Sequence, residues 1–285
     1  NNSLFGNEGD DDLFGGSGED NLFGGDDDDR LDGGEGNDSL FGGAGDDDLI
    51  GGPGDDLLNG GDGSDTAIYS SASGPITADL ESGVVFGAST DTLIDVENIV
   101  GSDFDDIIEG DDGVNRLEGG EGDDLVNGRQ GDDDMDGGPG FDTADYSGAT
   151  GPVSVNLEDE TASGADGDDS VVRFEAIVGS EFNDTLIGTE GENIFGLGEF
   201  SPVDLTPGGT LDNLIEGGGG NDTIFGLSGN DIIRGGPGDD LIAGGLGSNT
   251  SSGGPGNDTV DYLSAPNGVF VDLISGEGNN SSSGP

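Results

Sequence analysis

Apolar residues recur once in every nine positions along most of this chain. From Gly6 to Ile68 the sequence divides without a gap into seven nonapeptides, such as GGAGDDDLI and GGPGDDLLN, and the eighth residue of each is apolar. This spacing fits neither an amphipathic helix nor an alternating strand, because both need apolar residues more often. It predicts a solenoid of very short strands, in which the eighth residue points inward and the first six residues form a turn.

The nonapeptides form blocks that are separated by spacers of a different pattern. Apolar and polar residues alternate in the spacer segments ITADL, VSVNL and VFVDL, which begin at Ile76, Val153 and Val269. This alternation predicts half-buried strands in longer coils of the same solenoid. The insertion 197–216 contains two prolines and is predicted to be a surface loop of the third block. The predicted divisions are a first block at 1–68, a spacer at 69–100, a second block at 101–145, a spacer at 146–178, a third block at 179–261, and a truncated spacer with an Asn- and Ser-rich tail at 262–285.

The period also predicts which residues stack. If two nonapeptides make one coil, residues 18 apart in the sequence stack at the strand spacing of about 4.8 Å. The core would then be only about two side chains thick, and burial alone could hardly hold it. The expected stacks are Leu13, Leu31, Leu49 and Ala67 in one sheet, and Leu22, Leu40 and Leu58 in the other.

Composition narrows the possible chemistry. The chain has 285 residues, of which 63 are glycine, 64 are acidic and only 5 are basic, so its formal charge is −59. Such a charge disfavours nucleic acid and anionic membrane surfaces as partners, and it favours cations. No apolar run approaches the roughly 18 residues of a membrane span, so we expect no membrane insertion. The absence of cysteine and histidine excludes disulfides and the thiolate or imidazole metal sites. Both ends of the sequence fall inside repeats, so we expect it to be a window on a longer array.

The sixth residue of almost every nonapeptide is an aspartate, and stacking would place these aspartates in rows along the turns. Like charges about 5 Å apart repel by roughly 3 kcal/mol per pair at an effective dielectric constant of about 20. A hard divalent cation between successive turns reverses this balance, since calcium takes about six to eight oxygen ligands from carboxylates and carbonyls. We therefore expect calcium ions between the turns, with folding coupled to their binding.

The tandem GGxGxDxUx units, in which U is apolar, resemble the RTX, or haemolysin-type calcium-binding, repeats of secreted bacterial proteins. The segments between the blocks are also similar to those between RTX blocks of large surface and secreted proteins. The resemblance covers nearly the whole chain. It implies a right-handed parallel β-roll with calcium in the turns, which is disordered without calcium and folds after export.

The resemblance also implies which groups hold the ions, namely the sixth-position aspartates and the carbonyls of the first and third turn residues. Asn115, Asn193 and Asn249 replace the aspartate, and Phe104 and Phe182 replace the fourth glycine, so these turns should bind weakly or not at all. The implied carboxylate ligands are Asp11, Asp20, Asp29, Asp38, Asp47, Asp56, Asp65, Asp106, Asp124, Asp133, Asp142, Asp184, Asp222, Asp231, Asp240 and Asp258. The implied first-position carbonyls are those of Gly15, Gly33, Gly42, Gly51, Gly60, Gly119, Gly137, Gly217 and Gly235.

An alternative explanation of the acidic composition is a solvated surface adapted to high salt. It explains the net charge, but not why aspartate follows glycine at one position in nine. Fifth-position acids such as Asp10, Asp46 and Asp55 are interpreted as exposed charge rather than as ligands.

Two other features have structural interpretations. Tyr69, Tyr146 and Tyr262 lie where a block meets a spacer, and we interpret them as packing residues rather than as ligand-stacking residues. The glycosylation sequons at Asn221 and Asn257 arise from the repeat itself, so they are weak evidence for modification.

Three functional hypotheses follow. We expect no enzymatic activity, because without histidine, cysteine or lysine only carboxylates remain, and the repeat accounts for most of them. The first hypothesis is an extracellular structural or adhesive segment, stiffened by calcium, that acts as a stalk or assembles end to end into filaments. The second is the C-terminal secretion and folding region of an RTX toxin or enzyme. The third is a polysaccharide-binding module. All three place the chain outside the cell or on its surface, where millimolar calcium fills weak sites.

Overall fold

The computed structural model describes residues 1–188, 214–217, 219–226, 231–245, 249–261 and 281–283. The chain forms two compact units, Asn1–Gly140 and Phe141–Pro285. Every regular element of the described residues is a β-strand, and most neighbouring strands are parallel. Within these residues no helix has the length and apolar character that a membrane span requires. The all-β fold with parallel sheets, predicted from the nonapeptide spacing, is confirmed.

The first unit contains sixteen strands, most of them only three residues long. They are β1 (Ser3–Glu8), β2 (Asp12–Ser17), β3 (Asn21–Asp26), β4 (Arg30–Glu35), β5 (Ser39–Ala44), β6 (Asp48–Ile50), β7 (Leu57–Asp62), β8 (Thr66–Ile68), β9 (Thr77–Asp79), β10 (Val84–Phe86), β11 (Thr90–Ile94), β12 (Asn98–Val100), β13 (Ile107–Glu109), β14 (Arg116–Glu118), β15 (Leu125–Asn127) and β16 (Asp134–Asp136).

These strands form two sheets, and successive nonapeptides alternate between them. One sheet has the order β1-β3-β5-β7-β11-β10-β9-β13-β15, and the other has the order β2-β4-β6-β8-β12-β14-β16. Leu13 pairs with Leu31, and Leu31 pairs with Leu49. In the other sheet Leu22 pairs with Leu40, which pairs with Leu58. The predicted stacking of residues 18 apart is confirmed.

Each sheet of the first unit buries one row of eighth-position side chains. Leu22, Leu31, Leu40, Leu49 and Leu58 are fully buried. One buried side chain for every nine ordered residues is a low ratio, and ordering glycine-rich turns is costly. The turns must therefore contribute to stability as well.

The second unit is built in the same way. Its strands are β17 (Thr143–Asp145), β18 (Val153–Asn156), β19 (Thr161–Gly164), β20 (Asp168–Val172), β21 (Ala176–Val178), β22 (Thr185–Ile187), β23 (Leu214–Glu216), β24 (Thr223–Phe225), β25 (Ile232–Arg234), β26 (Leu241–Ala243), β27 (Thr250–Ser252), β28 (Thr259–Asp261) and β29 (Ser281–Ser283). Within this unit the strand orders are β17-β21-β23-β25-β27 and β20-β19-β18-β22-β24-β26-β28-β29.

The first two spacers add antiparallel strands that the alternating pattern did not predict. In the first spacer β10 is antiparallel to both β9 and β11, and in the second β19 is antiparallel to both β18 and β20. A tight turn reverses the chain before β10, where the Gly83 amide donates to the Leu80 carbonyl. The spacer residues Ala78 and Val155 are buried, so the predicted half-buried strands are present. Tyr69 and Tyr146 are buried as well, in agreement with their predicted packing role.

The prediction of a surface loop over 197–216 is wrong at the C-terminal end of this segment. Leu214–Glu216 forms β23, in which Ile215 pairs with Ile177 and Ile233. The segment GGTLDNLIE at 208–216 has glycine at positions one and two and isoleucine at position eight. It is thus a degenerate nonapeptide, which was missed because leucine and asparagine stand at positions four and six. The rest of the insertion, Asn193, Tyr262 and the third spacer strand from Val269 lie outside the described residues.

Candidate calcium sites in the turns

The predicted carboxylate ligands lie at the inner side of the turns. All of them are buried except Asp11, which is partly exposed. The fifth-position acids Asp10, Asp46 and Asp55 are exposed, as expected of surface charge. The nonapeptide thus separates two neighbouring acidic residues, one facing solvent and the next enclosed by its turn.

One oxygen of each buried carboxylate joins a ladder of hydrogen bonds along the stack. The amide of Asp20 donates to Oδ1 of Asp38 at 2.7 Å, and the amide of Asp38 donates to Oδ1 of Asp56 at 2.7 Å. In the second unit the amide of Asp222 donates to Oδ1 of Asp240 at 3.0 Å. Each aspartate is therefore held in place by the equivalent aspartate one coil away.

In many of these carboxylates the other oxygen is buried without a hydrogen-bond donor. A buried carboxylate oxygen without a partner is costly, so native proteins pair such atoms or bind an ion to them. The Oδ2 atoms in this state include those of Asp20, Asp29, Asp38, Asp47, Asp56, Asp65, Asp222, Asp240 and Asp258.

The first glycine of each turn leaves the space into which this oxygen points. A Cβ atom on Gly15 would lie within 3.0 Å of both Oδ2 of Asp20 and the carbonyl oxygen of Gly33 in the next coil. The same pair of oxygens, one carboxylate and one first-position carbonyl, would meet a Cβ at Gly24, Gly33, Gly42, Gly119, Gly217 and Gly235. This donor set of hard oxygen atoms fits calcium.

The predicted carbonyl ligands also take part in contacts between coils. The first-position carbonyls of Gly33, Gly51 and Gly60 each face the aspartate of the preceding coil. The third-position carbonyl of Pro53 accepts the Gly36 amide at 3.0 Å, and that of Asp62 accepts the Gly45 amide at 3.0 Å. A carbonyl oxygen has two lone pairs, so this hydrogen bond leaves one for an ion. Whether each carbonyl is a ligand stays a prediction.

Without a cation, the environment of the turns favours protonated carboxyls. Burial is the main cause, neighbouring aspartates of the ladder add to it, and one backbone hydrogen bond opposes it. Together these effects raise the pKa of Asp56, Asp65, Asp124 and Asp222 to about 7, and that of Asp47 and Asp240 to about 6.

Acid should therefore favour the metal-free fold. Because these folded-state pKa values lie above the ordinary aspartate value of about 3.9, the folded chain binds protons that the unfolded chain does not. This contribution is complete below about pH 4 and is lost as the pH rises through about 6 to 7. Far-UV circular dichroism in EGTA should show more β-structure at about pH 5 than at about pH 8. Equal spectra at the two values would contradict the buried carboxylate ladder.

In two turns both carboxylate oxygens of the aspartate accept hydrogen bonds from the turn itself, so the carboxylate has partners without a cation. In the turn at 101–106, Oδ2 of Asp106 accepts the Ser102 amide at 2.5 Å, and Oδ1 accepts the Ser102 hydroxyl at 2.8 Å. Ser180 makes the same two contacts with Asp184. Serine replaces the second glycine in both turns, and phenylalanine replaces the fourth. These are two of the turns that the sequence predicted to bind weakly.

In the turn that ends at Asn115, the side-chain amide has hydrogen-bond partners without an ion. Oδ1 of Asn115 accepts the Asp111 amide at 2.8 Å, and Nδ2 of Asn115 donates to the Glu97 carbonyl at 2.8 Å. Asn249 likewise accepts the Asp231 amide at 2.8 Å through Oδ1. Asn249 thus accepts an amide from the neighbouring coil as the aspartates do, whereas Asn115 accepts an amide of its own turn. Neither asparagine adds a charge that needs an ion.

Asp106→Asn should leave the number of bound calcium ions unchanged, because both oxygens of Asp106 already accept hydrogen bonds from Ser102. The thermal midpoint should fall, since the new amide group faces the Ser102 amide. Asp38→Asn is the matched variant and should lose one ion, because Oδ2 of Asp38 has no donor. Ion counts by equilibrium dialysis check both, and loss of an ion from Asp106→Asn would refute this assignment.

Acidic residues of the spacers, which the nonapeptide pattern did not predict, continue the ladder. The Asp56 amide donates to Oδ1 of Asp91 at 3.0 Å, and the Asp65 amide donates to Oε2 of Glu97 at 2.8 Å. In the second unit the Asp142 amide donates to Oε2 of Glu175 at 2.8 Å. The sequence does contain a signal for the two glutamates, because the similar spacer segments VENIVGS and FEAIVGS share this residue. It does not occupy the sixth position of a nonapeptide.

Comparison with protein families agrees with this geometry. The model of the RTX calcium-binding nonapeptide repeat matches both units. The search of curated proteins found no match to the chain. The residues matched by the family model are 5–40, 32–67, 94–124, 109–144, 175–200, 207–242 and 225–260.

Proposed function

Because the chain belongs to the family of RTX calcium-binding nonapeptide repeats, whose turns bind several Ca²⁺ ions, we propose that it is an extracellular structural segment that calcium folds and stiffens. In this role it is a stalk, or a segment that assembles into filaments or adheres to a surface. It is proposed to have no enzymatic activity of its own.

The observation that carries the proposal is the repetition of buried, half-satisfied carboxylates along both units. They occur from Asp20 in the first unit to Asp258 in the second. Each coil contributes little apolar burial, so the energy of ordering depends on the ions in the turns. A segment built in this way is flexible and self-repelling without calcium, and rigid with it.

The extracellular location is proposed from the supply of the ion. Extracellular calcium modules bind with dissociation constants of about 10⁻⁴ to 10⁻³ M, which cytosolic calcium does not reach. The turns combine one carboxylate per nonapeptide with backbone carbonyls, a ligand set suited to this weak range. The chain would therefore remain unfolded inside a cell and fold outside it.

Single-molecule force spectroscopy tests the structural role. The chain, placed between two handle domains, should give discrete unfolding steps at millimolar calcium and a smooth entropic extension in EGTA or in magnesium. A smooth extension at saturating calcium would contradict a load-bearing role. Binding of a neutral or anionic polysaccharide that requires folded protein would instead favour the carbohydrate-binding hypothesis.

A further inference from the structure

The last nonapeptide turn of the first block lacks a following nonapeptide to complete it. In the first five turns of the block, from Gly6–Asp11 to Gly42–Asp47, the next coil supplies both an aspartate and a first-position carbonyl. After the turn Gly60–Asp65 the next coil is spacer, yet Asp65 is completely buried and its Oδ2 has no hydrogen-bond donor. This buried oxygen indicates an ion site whose remaining protein ligands lie outside the nonapeptide pattern.

The first spacer places a carboxylate in register with Asp65. Strands β8 and β12 pair Thr66 with Asn98, so Glu97 lies beside Asp65. The Asp65 amide donates to Oε2 of Glu97 at 2.8 Å, just as the Asp47 amide donates to Oδ1 of Asp65 at 2.8 Å. Glu97 therefore occupies the place of the next aspartate in the ladder.

The spacer also supplies the carbonyl. A Cβ atom on Gly60 would lie within 3.0 Å of Oδ2 of Asp65 and the carbonyl oxygen of Asp95. At Gly42 the corresponding pair is Oδ2 of Asp47 and the carbonyl of Gly60. Asp95 has a φ of 48°, a left-handed conformation, which aspartate tolerates better than most residues.

The length of the side chain fits the shorter turn. Ile94 pairs with Asn59 and Asn98 pairs with Thr66, so three residues of the spacer cover a turn of six. Glutamate is one methylene longer than aspartate and can span the distance that the shortened backbone leaves. This explains why a glutamate, rather than an aspartate, stands at this point of the ladder.

The second unit contains the same pairing between the last sixth-position aspartate of a block and a glutamate of the following spacer. The Asp142 amide donates to Oε2 of Glu175 at 2.8 Å, and the Glu175 amide donates to the Asp142 carbonyl at 3.0 Å. Arg173, two residues before Glu175, has a φ of 57°, as Asp95 has before Glu97. Two spacers of different sequence thus place a glutamate in the same way.

From these contacts we propose that Glu97 and Glu175 are calcium ligands, each completing the site of the preceding nonapeptide turn. The site at Glu97 combines the carboxylates of Asp65 and Glu97 with the carbonyl of Asp95. The inference rests on calcium binding by the turns and adds the spacers to the metal-binding part of the chain. The first and second blocks then each end in a site with two carboxylates.

Glu97→Gln in the full chain tests the proposal. Glutamine keeps an oxygen for the Asp65 amide but removes the negative charge, so the variant should fold in calcium and bind one ion fewer by equilibrium dialysis. The control is Glu81→Gln, an exposed acid of the same spacer that contacts Arg129, which should leave the ion count unchanged. The double variant Glu97→Gln and Glu175→Gln should lose two ions.

An unchanged ion count and affinity in folded Glu97→Gln would overturn the proposal and leave Glu97 as a hydrogen-bond acceptor. If Glu97→Gln does not fold, Glu97→Asp keeps the charge and should show one weakened site, while unaltered affinity at every site would refute the role. Absence of calcium binding by the unaltered chain is a different outcome, which would refute the proposed function itself.

Discussion

Replacing Asp47 by asparagine should remove one calcium ion and lower the stability of the calcium-bound fold by about 3 kcal/mol or more, the scale for breaking a buried ion pair. Asp47 is buried, its Oδ1 accepts the Asp29 amide at 2.7 Å, and its Oδ2 has no donor. Asparagine keeps the Oδ1 acceptor and loses only the charged oxygen that faces Gly42.

Without calcium, the same substitution should stabilise the fold instead of destabilising it. Burial, opposed by the Asp29 amide and reinforced by the Asp29 carboxylate, raises the pKa of Asp47 to about 6, so its charge opposes the metal-free fold at neutral pH. Removing that charge should increase the β-structure that forms in EGTA. A cation-independent structural role would instead lower stability in both conditions.

Denaturation in saturating calcium and circular dichroism in EGTA measure the two effects. The matched control is Asp46→Asn, because Asp46 is the exposed neighbour in the same turn and accepts the Ser64 amide at 2.9 Å, which asparagine can also do. The control should lose no ion. Equal behaviour of the two variants would show that net charge, and not the buried ladder, controls folding.

Gly34→Ala should be one of the most damaging small substitutions in the first block. Gly34 has a φ of 94°, and a Cβ atom there would lie within 3.0 Å of the carbonyl group of Gly16 in the preceding coil. The obstacle is backbone, so relief requires the coils to separate and the ladder between them to lengthen. We expect a loss above about 4 kcal/mol, in the range that backbone clashes and core disruption produce.

Gly16→Ala separates this clash from backbone strain. Gly16 occupies the same position of its turn with a φ of 97°, but a Cβ atom there meets nothing within 4 Å. It should cost only about 1–2 kcal/mol, the price of a left-handed alanine. Chemical denaturation at saturating calcium compares the pair, and equal losses would refute close stacking of successive turns.

The sequence was sufficient to predict that residues 18 apart stack, because with one apolar residue in nine only this register places the apolar side chains above one another in the core. Leu13 pairs with Leu31 as that register requires, and Asp20 stacks with Asp38. The direction of the spacer strands was not predictable, since alternation fixes which side chains are buried but not which way a strand runs. Strand β10 is antiparallel to both of its neighbours, and its pattern of apolar and polar residues does not indicate this direction.

The candidate sites were predictable only where they follow the repeat. Ser102 satisfies Asp106, and Glu97 extends the ladder beyond Asp65, through contacts that depend on turn geometry. Neither residue belongs to the nonapeptide consensus, so spacing alone could not assign them. The repeat predicts where ions can bind, and the departures from it determine where a block begins and ends.

The most direct test of calcium-coupled folding is far-UV circular dichroism of the chain in EGTA during a calcium titration at constant pH, with magnesium as the control. We predict a cooperative transition from coil to β-structure at submillimolar to millimolar calcium and no transition with magnesium. A β-spectrum already present in EGTA and unchanged by calcium would contradict the account, because the buried aspartate ladders would then be stable without ions.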